Sequence, residues 1–552
     1  MSLEGFTDYN KADAQEYDRL RWWAGFTFGD ILDKASDMHP EKEALVDGDR
    51  RLTYSQVREL ADKCAIGFME LGIKPKERVL LQLPNWSEFV YSFFALQKIG
   101  AIPVLLVPRH SQIEINHVCR LTGATAWILP GEHRKIDYLP IIDGVLRENP
   151  QLRHVILVRS EDKRFHSLNG LLKHARINKD NLPELAGRRP DPMEVARMST
   201  TGGSTGVLKI VPRTHNDYLC NVEYKARTWE LSTDDVSLAV TPVGHDMTFS
   251  TIICGAVITF GKIIMLDSTN SEDICSTIQK ERITAAAMVP TLARQLADFD
   301  SIRNYDLSSL VKLHVGGSLS SPDLIRSVHH NLGCKYVNAY GSSEGISFMT
   351  RLDDDLDTIC DSVGKPTCPY DMHKIVDQDG NELPPDTPGE LLVKGPGVFS
   401  GYFNDLEANR LAFTDDGFFR TGDLITIDSD GTARIAGRIK DVIIRGGENI
   451  LPAEVESLIS DHHGVAAVAV IGMPDELLGE RICAYIQLRP GSMLSFEDII
   501  DYLKGKRASV RQLPERIEFI DDMPLTKVGK ADKQALRHDI EMRLRKTQLL
   551  GT

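Results

Sequence analysis

The sequence predicts an α/β protein: a large N-terminal part built on mainly parallel sheets, followed by a smaller α+β unit. Three observations carry this. Short apolar runs alternate with amphipathic helical patterns between residues 78 and 340. Short strands broken by Asp-Gly turns then fill 365–435, and a fresh strand–helix pattern begins after Gly437.

The run 78–83, Arg-Val-Leu-Leu-Gln-Leu, reads as a buried strand, followed by an amphipathic stretch at 86–99 and a second strand at 102–107. Further strands are expected at 126–129, 154–158, 236–240, 262–266, 285–289, 313–315 and 336–340. Strands alternating with helices imply layered α/β structure, whose active sites form at strand C-termini. In 365–435, strands 389–393 and 424–427 are separated by Asp379-Gly380, Asp416-Gly417 and Asp430-Gly431 turns. This reads as an antiparallel meander, or a small barrel. After Gly437 come a hairpin, a helix at 453–460, strands at 465–471 and 482–488, a helix at 496–503 and a C-terminal helix. That unit is roughly 110 residues, the size of a separate domain.

Composition narrows the class. A chain of 552 residues suggests two to four domains at roughly 150 residues each. With 42% hydrophobic and 26% charged residues it has globular averages, which excludes disorder and a fibrous repeat. The formal charge of −15 is spread along the chain and argues against a nucleic-acid-coating protein. Nine scattered cysteines with no C-x-x-C pair read as reduced thiols. Residues 1–21 lack a signal-peptide apolar core, and the apolar run 252–260 is too short to span a bilayer. A soluble cytoplasmic protein with no membrane and no nucleic-acid partner is expected.

Five segments carry chemistry. The first, Thr200-Thr201-Gly202-Gly203-Ser204-Thr205-Gly206-Val207-Leu208-Lys209, has glycines, hydroxyls and a lysine suited to phosphate. It lacks the spacing of G-x-x-x-x-G-K-S/T, and a plain flexible loop is the competing reading. The second, Tyr340-Gly341-Ser342-Ser343-Glu344, sets a carboxylate after a strand, where it could hold Mg²⁺ or simply be a solvated turn. In the third, Arg420-Thr421-Gly422-Asp423, a turn carboxylate could accept two ribose hydroxyls. The fourth runs from Gly437-Arg438-Ile439-Lys440-Asp441 to Arg445-Gly446-Gly447-Glu448-Asn449, at the domain junction. The fifth, Pro524-Leu525-Thr526-Lys527-Val528-Gly529-Lys530, presents a lysine on a tight loop.

Together, in this order and over this length, the five resemble the signature set of the AMP-forming adenylating superfamily of acyl- and aryl-CoA ligases, peptide-synthetase adenylation domains and firefly-type luciferases. Within it, the stretch 209–218 after the phosphate loop, Thr350–Asp354, Met473–Glu480 and Leu513–Glu518 look like stand-alone aryl-acid AMP ligases of siderophore pathways, the 2,3-dihydroxybenzoate-AMP ligase type. The resemblance implies an N-terminal adenylation domain at 1–438, made of two α/β subdomains and a small β-barrel. A mobile C-terminal domain at 439–552 would carry the catalytic lysine loop.

The resemblance also implies ATP, Mg²⁺, and CoA or a carrier-protein phosphopantetheine as thiol acceptor. Thr201, Gly202, Gly203, Ser204, Thr205, Gly206 and Lys209 would wrap the departing pyrophosphate. Glu344 would hold Mg²⁺, and Ser343, beside Gly341 and Ser342, would touch the α-phosphate. Asp423 and Arg438 would grip the ribose. Gly316, Gly317 and Ser318, with Asn338, Ala339 and Tyr340, would line the adenine. Lys530 would bridge the attacking carboxylate and the α-phosphate, making Lys530, Glu344 and His245 the catalytic set. Lys440 would be the hinge, and Gly446 and Gly447 would border the thiol tunnel. The chain departs from the siderophore pattern in reading Gly-Gly-Glu448-Asn449-Ile450, a texture closer to CoA ligases, so carrier protein and CoA both stay open.

The acid pocket is expected to involve His245, Asp246, Thr251, Gly317 and Ala339. Aryl-acid relatives carry a His-Asn pair, whereas this chain has His245-Asp246. An ionised Asp accepts hydrogen bonds and cannot donate them, which favours an N–H-bearing acid of the 2-aminobenzoate kind over salicylates. The competing reading pairs Asp246 elsewhere in an apolar pocket. A medium-chain acyl-CoA synthetase is the alternative enzyme. Oxidation of an adenylate, as in luciferases, and a nucleotide sensor are the remoter alternatives. The pairs His329-His330 and His462-His463, on helical patterns, and the basic tail 537–552 read as solvated.

Overall fold

Parallel strands that are apolar throughout need cover on both faces, and the computed structural model meets this with two large sheets. It describes residues 3–178, 181–202, 208–475, 477–526 and 530–550, the side chains only to 545. The first sheet has seven strands. Arg78–Leu81, Ile102–Leu105, Ala126–Pro130 and His154–Val158 run parallel in it. Val195–Gly202 joins parallel to Ile102–Leu105 and turns back, antiparallel, as Leu208–Thr214. The second sheet has nine strands around a parallel core of Val236–Ala239, Lys262–Met265, Ala285–Met288, Lys312–Gly316 and Lys335–Gly341. Helix Ser87–Lys98, buried along its whole length, lies within the main core, where Phe89 and Phe93 meet Phe249.

In the two large sheets the expected strands occur with ends shifted by at most two residues, whereas Phe419–Ile427, Val465–Asp475 and Gly479–Leu488 run three to five residues beyond the expected 424–427, 465–471 and 482–488. The sequence reading missed Glu43–Asp47, Arg50–Thr53 and both arms of the hairpin around the glycine loop. The meander at 365–435 is a four-stranded antiparallel sheet of Met372–Val376, Gly389–Lys394, Phe419–Ile427 and Ala433–Arg438. Among the described residues its outer strands do not pair, so it stays open rather than closing on itself. Side chains from outside it fill its core instead, Val211 and Phe348 from strands of the two large sheets and Ile346 from the turn before Ser347–Met349, packing among Ile375, Leu391, Phe419 and Ile425.

Past Arg438 the chain makes a short 3-10 turn, Ile439–Asp441, and enters a five-stranded sheet containing Ile443–Arg445, Glu448–Ile450, Val465–Asp475, Gly479–Leu488 and Arg516–Ile520. The Ile443–Arg445/Glu448–Ile450 hairpin turns on Gly446 (φ +59°) and Gly447 (φ +85°). Two consecutive positive φ values make a two-residue turn in which glycine is unstrained. This unit has its own core around Val455, Ile459, Val470, Ile482 and Ile499.

Two expectations are corrected here. His462 is buried in a turn after the Pro452–Ser460 helix, against Tyr502, because its Nδ1 accepts the Gly464 N–H at 3.1 Å; His463 and the His329-His330 pair are exposed. The C-terminal helix Lys533–Leu550 is not a freely solvated appendage, since Leu536 and Ile540 are buried against Ile471 and Tyr485. All nine cysteines are free thiols, eight of them buried. Among the described residues no helix is long and apolar enough to cross a membrane.

Candidate active site

The chemistry-bearing segments converge at the C-terminal edge of the nine-stranded sheet. Lys312–Gly316 and Lys335–Gly341 lie side by side with Gly316 opposite Ala339, so Gly317, Ser318, Ser342 and Ser343 leave the same edge. Val236–Ala239 ends there too and leads into the His245 loop. Asn85, which follows a strand of the other sheet, anchors that loop: its Oδ1 accepts the Val243 N–H at 3.0 Å and its amide reaches the Ala239 and Thr241 carbonyls at 3.1 and 3.0 Å. At Gly244 a Cβ would stand 2.3 Å from the Leu106 carbonyl oxygen, so only glycine permits this contact between the sheets.

The glycine loop is the tip of a hairpin whose stems pair Thr201 with Lys209 and Gly202 with Leu208. Gly203, Ser204, Thr205 and Gly206 themselves lie outside the described residues. Lys209 places its ammonium 4.4 Å from the centre of the Tyr402 ring, and the Tyr402 hydroxyl donates to Glu344 Oε1 at 3.0 Å. Glu344 is only 7% exposed, and its carbonyl accepts the Phe399 N–H at 2.8 Å. Ser342 Oγ is buried without a hydrogen-bond partner. Arg213, fully buried, donates to Asp217 Oδ1 at 2.6 Å, to the Ser343 carbonyl at 2.8 Å and to the Gly397 carbonyl at 2.6 Å. It therefore ties the serine turn to the neighbouring 397–402 loop.

Asp423 is gripped from two sides, Oδ1 by Arg438 Nε at 2.5 Å and Oδ2 by the Tyr340 hydroxyl at 2.6 Å. Burial opposes the Arg438 charge, but the Asp423 carboxylate outweighs it and raises the guanidinium pKa. An ionised carboxylate with lone pairs left on both oxygens can accept from a vicinal diol. The Asn338 amide donates to the Ser362 carbonyl at 2.8 Å and reaches that of Ile359 at 3.4 Å, which leaves its Oδ1 for any other contact.

Lys530 comes from the other domain. Leu525 pairs with Ala531, and the Thr526 N–H donates to the Lys530 carbonyl at 2.7 Å, closing a tight turn. Residues 527–529 lie outside the described residues. The lysine projects into the cleft with its Cε 3.7 Å from where a Cβ would stand on Gly317. The residue stays accessible to water, yet enough protein surrounds the ammonium that desolvation lowers its pKa; Arg438 and Lys440 add to this, while Asp423 and Glu344 oppose it. Burial, then Lys530, then Arg197 depress the His245 imidazole to about 4, against an upward pull from Asp246, so it is neutral at pH 7. Lys530, Glu344, Asp423, Arg438 and His245 thus share one cleft. Lys440 and the Gly446-Gly447 tip are exposed to solvent.

Asp246 does not stand free to read a substrate. Its Oδ1 is ion-paired with the buried Arg197 and accepts the Tyr218 hydroxyl at 2.8 Å, and Lys225 lies 4.0 Å from Oδ2. Burial would raise its pKa, but Arg197 above all, with Lys225, Arg213 and the Tyr218 hydroxyl, holds it at about 2. With Arg197, Tyr218 and Lys225 around it, Asp246 is not the free acceptor on which the expected preference for an N–H-bearing acid depends. Thr251 is buried in the π-helical turn Phe249–Cys254, and Ala339 is nearly buried beside Gly316. Such π turns recur at functional sites.

Among the described residues no three or more His, Cys, Asp or Glu side chains cluster as a metal site. Glu344 is a lone hard carboxylate, which suits Mg²⁺ that arrives with nucleotide phosphates and keeps its waters.

Arg197, Tyr218, Lys225, Asn85 and Tyr402 escaped the sequence reading. Arg197 alone left a trace, a charge in the middle of the apolar run Val195-Ala196-Arg197-Met198.

Residues 32–403 match the family model described as AMP-binding enzyme, and 454–530 match AMP-binding enzyme C-terminal domain. The chain is 36% identical over 543 residues to the 2,3-dihydroxybenzoate-AMP ligase of Bacillus subtilis (strain 168), covering 98% of this chain and 99% of that one. It is 33% identical to the salicyl-AMP ligase / salicyl-S-ArCP synthetase of Mycobacterium tuberculosis (strain ATCC 25618 / H37Rv), covering 97% and 94%. Among solved structures it is similar to Mycobacterium smegmatis MbtA in its apo form, with TM-score 0.73, 33% identity and coverage of 98% and 100%. It also shares the fold of the anthranilate CoA ligase AuaEII in complex with anthranoyl-AMP, with TM-score 0.86, 24% identity and coverage of 94% and 98%.

Proposed function

The chain belongs to the AMP-binding enzyme family, and from that premise we propose that it activates an aromatic carboxylic acid with ATP and passes the acyl group to a pantetheine thiol. The observation that carries this reading is the entry of Lys530 into the cleft that already holds Asp423, Arg438 and Glu344. Full-length likeness to 2,3-dihydroxybenzoate- and salicyl-AMP ligases supports the aromatic class.

A carboxylate is a poor electrophile, because its charge repels nucleophiles and oxide is a hopeless leaving group. In the first step a substrate carboxylate oxygen bonds to the α-phosphorus of ATP and the bond to the β-phosphate bridging oxygen breaks, giving acyl-adenylate and pyrophosphate. This needs no protein nucleophile, so positioning and charge neutralisation do the catalysis. Asp423 would accept the ribose hydroxyls and Arg438 would keep that carboxylate oriented. Lys530 would lie against the attacking carboxylate and the α-phosphate, where negative charge accumulates. The hydroxyl and glycine loop, with Lys209, would cradle the leaving pyrophosphate. Mg²⁺ bound through Glu344 would supply charge neutralisation on the phosphates. Neutral His245 would face the acid without adding a charge.

In the second step the thiol sulfur attacks the acyl carbonyl and AMP leaves with the bonding pair. Lys530 in the cleft and the Gly446-Gly447 hairpin in solvent fit the first step. Rotation about Lys440 would exchange them for the second, with CoA or a carrier-protein phosphopantetheine as acceptor.

Acid-dependent ATP–pyrophosphate exchange tests the reading, with benzoate, salicylate, 2,3-dihydroxybenzoate, 2-aminobenzoate, hydroxypicolinate and octanoate as substrates. Strong exchange with an aromatic acid is expected. Exchange with octanoate alone would overturn the aromatic class.

A further inference from the structure

Arg197, on the strand that leads into the glycine loop, is 0% exposed, and its guanidinium lies over the Tyr218 ring at 3.9 Å. One of its nitrogens, Nη2, is paired with Asp246, while Nε and Nη1 have no hydrogen-bond partner. Lys225, 8% exposed, donates to Ser250 Oγ at 3.2 Å and faces the same carboxylate. The nearby Arg213 is already matched by Asp217. Two buried cations therefore share the single carboxylate of Asp246. Burying an uncompensated charge and unpaired donors is costly, so such a cluster is suited to a ligand that supplies the missing acceptors. His245, adjacent to Asp246 in sequence, lies close enough to both Lys530 and Arg197 to feel their charges. An acid whose carboxylate meets Lys530 can thus direct its ring past His245 towards the cluster.

We propose that Arg197 and Lys225 determine specificity, selecting an aromatic acid with a second oxygen-bearing ring substituent that accepts their hydrogen bonds, a carboxylate or a phenol oxygen, over acids with an unsubstituted or N–H-bearing ring. Asp246 is the positioning residue that holds Arg197 rather than the group that reads the substrate. The inference rests on the adenylation reading above and narrows its substrate.

The test is ATP–pyrophosphate exchange with benzoate, 2-aminobenzoate, salicylate, phthalate and isophthalate on the full chain and two variants. Lys225→Met removes the surplus charge. Arg197→Met/Asp246→Asn removes the unpaired donors without stranding a buried carboxylate. In the wild type, kcat/KM for the best oxygen-bearing acid should exceed that for benzoate and 2-aminobenzoate by about 10²-fold, mostly through KM. Either folded variant should cut that ratio about tenfold or more. Phthalate or isophthalate ahead of salicylate would assign the substituent as a carboxylate, and the reverse order as a phenol oxygen. Benzoate or 2-aminobenzoate equal to the oxygen-bearing acids in the wild type would overturn the inference and leave adenylation standing, as would an unchanged ratio in both folded variants. Silence with every acid would instead overturn the adenylation reading, and the inference with it.

Discussion

Lys530 and Gly317 meet across the domain boundary, the lysine Cε lying 3.7 Å from where a side chain on the glycine would begin. The C-terminal unit thereby delivers a cation to the edge of a sheet formed some two hundred residues earlier in the chain. Removing a contact to transition-state charge typically costs a few kcal/mol, or about 10²–10³ in rate. Lys530→Ala should therefore lose pyrophosphate exchange by at least that factor while calorimetry still detects ATP binding. Undiminished exchange would remove the central role given to this lysine.

Asp423→Ala should weaken nucleotide binding, because it removes the acceptor placed for the ribose and strands Arg438 and the Tyr340 hydroxyl. Charge-assisted hydrogen bonds contribute about 1.5–3 kcal/mol each, so KM for ATP should rise about tenfold to a hundredfold. Binding of a 2′,3′-dideoxy analogue should change far less. Equal losses for both nucleotides would argue against ribose contact.

Lys440→Pro restricts the backbone at the short Ile439–Asp441 turn joining the two units. Pyrophosphate exchange should be retained while thioester formation with CoA or a carrier protein falls about tenfold or more. Parallel loss of both half-reactions would contradict a hinge at this position.

Burial and Lys530 hold His245 near 4, below an ordinary imidazole, so the folded state favours its neutral form. The sign follows from linkage. The stability this group contributes is fully present above about pH 6.5 and is lost as pH falls towards about 4, because the unfolded chain binds the proton more readily. Denaturant titrations of the wild type and His245→Gln should thus diverge in slope between those values, the variant losing less stability. Identical slopes would show that this ring carries no such shift.

Arg213 joins Asp217 to the Ser343 and Gly397 carbonyls inside the protein. Breaking one side of a buried ion pair costs about 3–5 kcal/mol. Arg213→Met should lower the denaturation midpoint accordingly and loosen the serine turn, raising KM for ATP. A fully stable variant would show that Asp217 finds adequate partners in Tyr9 and Thr214.

Residue order alone was enough for the layered α/β architecture, the antiparallel meander and the positions of the five motifs from which nucleotide-directed roles are expected. These rest on local signals: strand-length apolar runs, Asp-Gly turns, and hydroxyl, carboxylate and lysine residues at set spacings. Asp423 and Lys530 were picked out because the five motifs taken together resemble an adenylating signature set; singly, a turn aspartate and a loop lysine say little. Asp246 was read as a free acceptor because nothing within a few residues of it hints otherwise. Its partners Arg197, Lys225 and Tyr218 lie 49, 21 and 28 residues away, on a strand and a helix that meet it only when the sheets pack. The tertiary structure likewise decided that the meander stays open and that the lysine turn, not the glycine hairpin, occupies the cleft. The physical reason is the same throughout: backbone preference and hydrophobic period act over a few residues, whereas the neutralisation of a buried charge depends on whichever distant side chain the fold brings within hydrogen-bond reach.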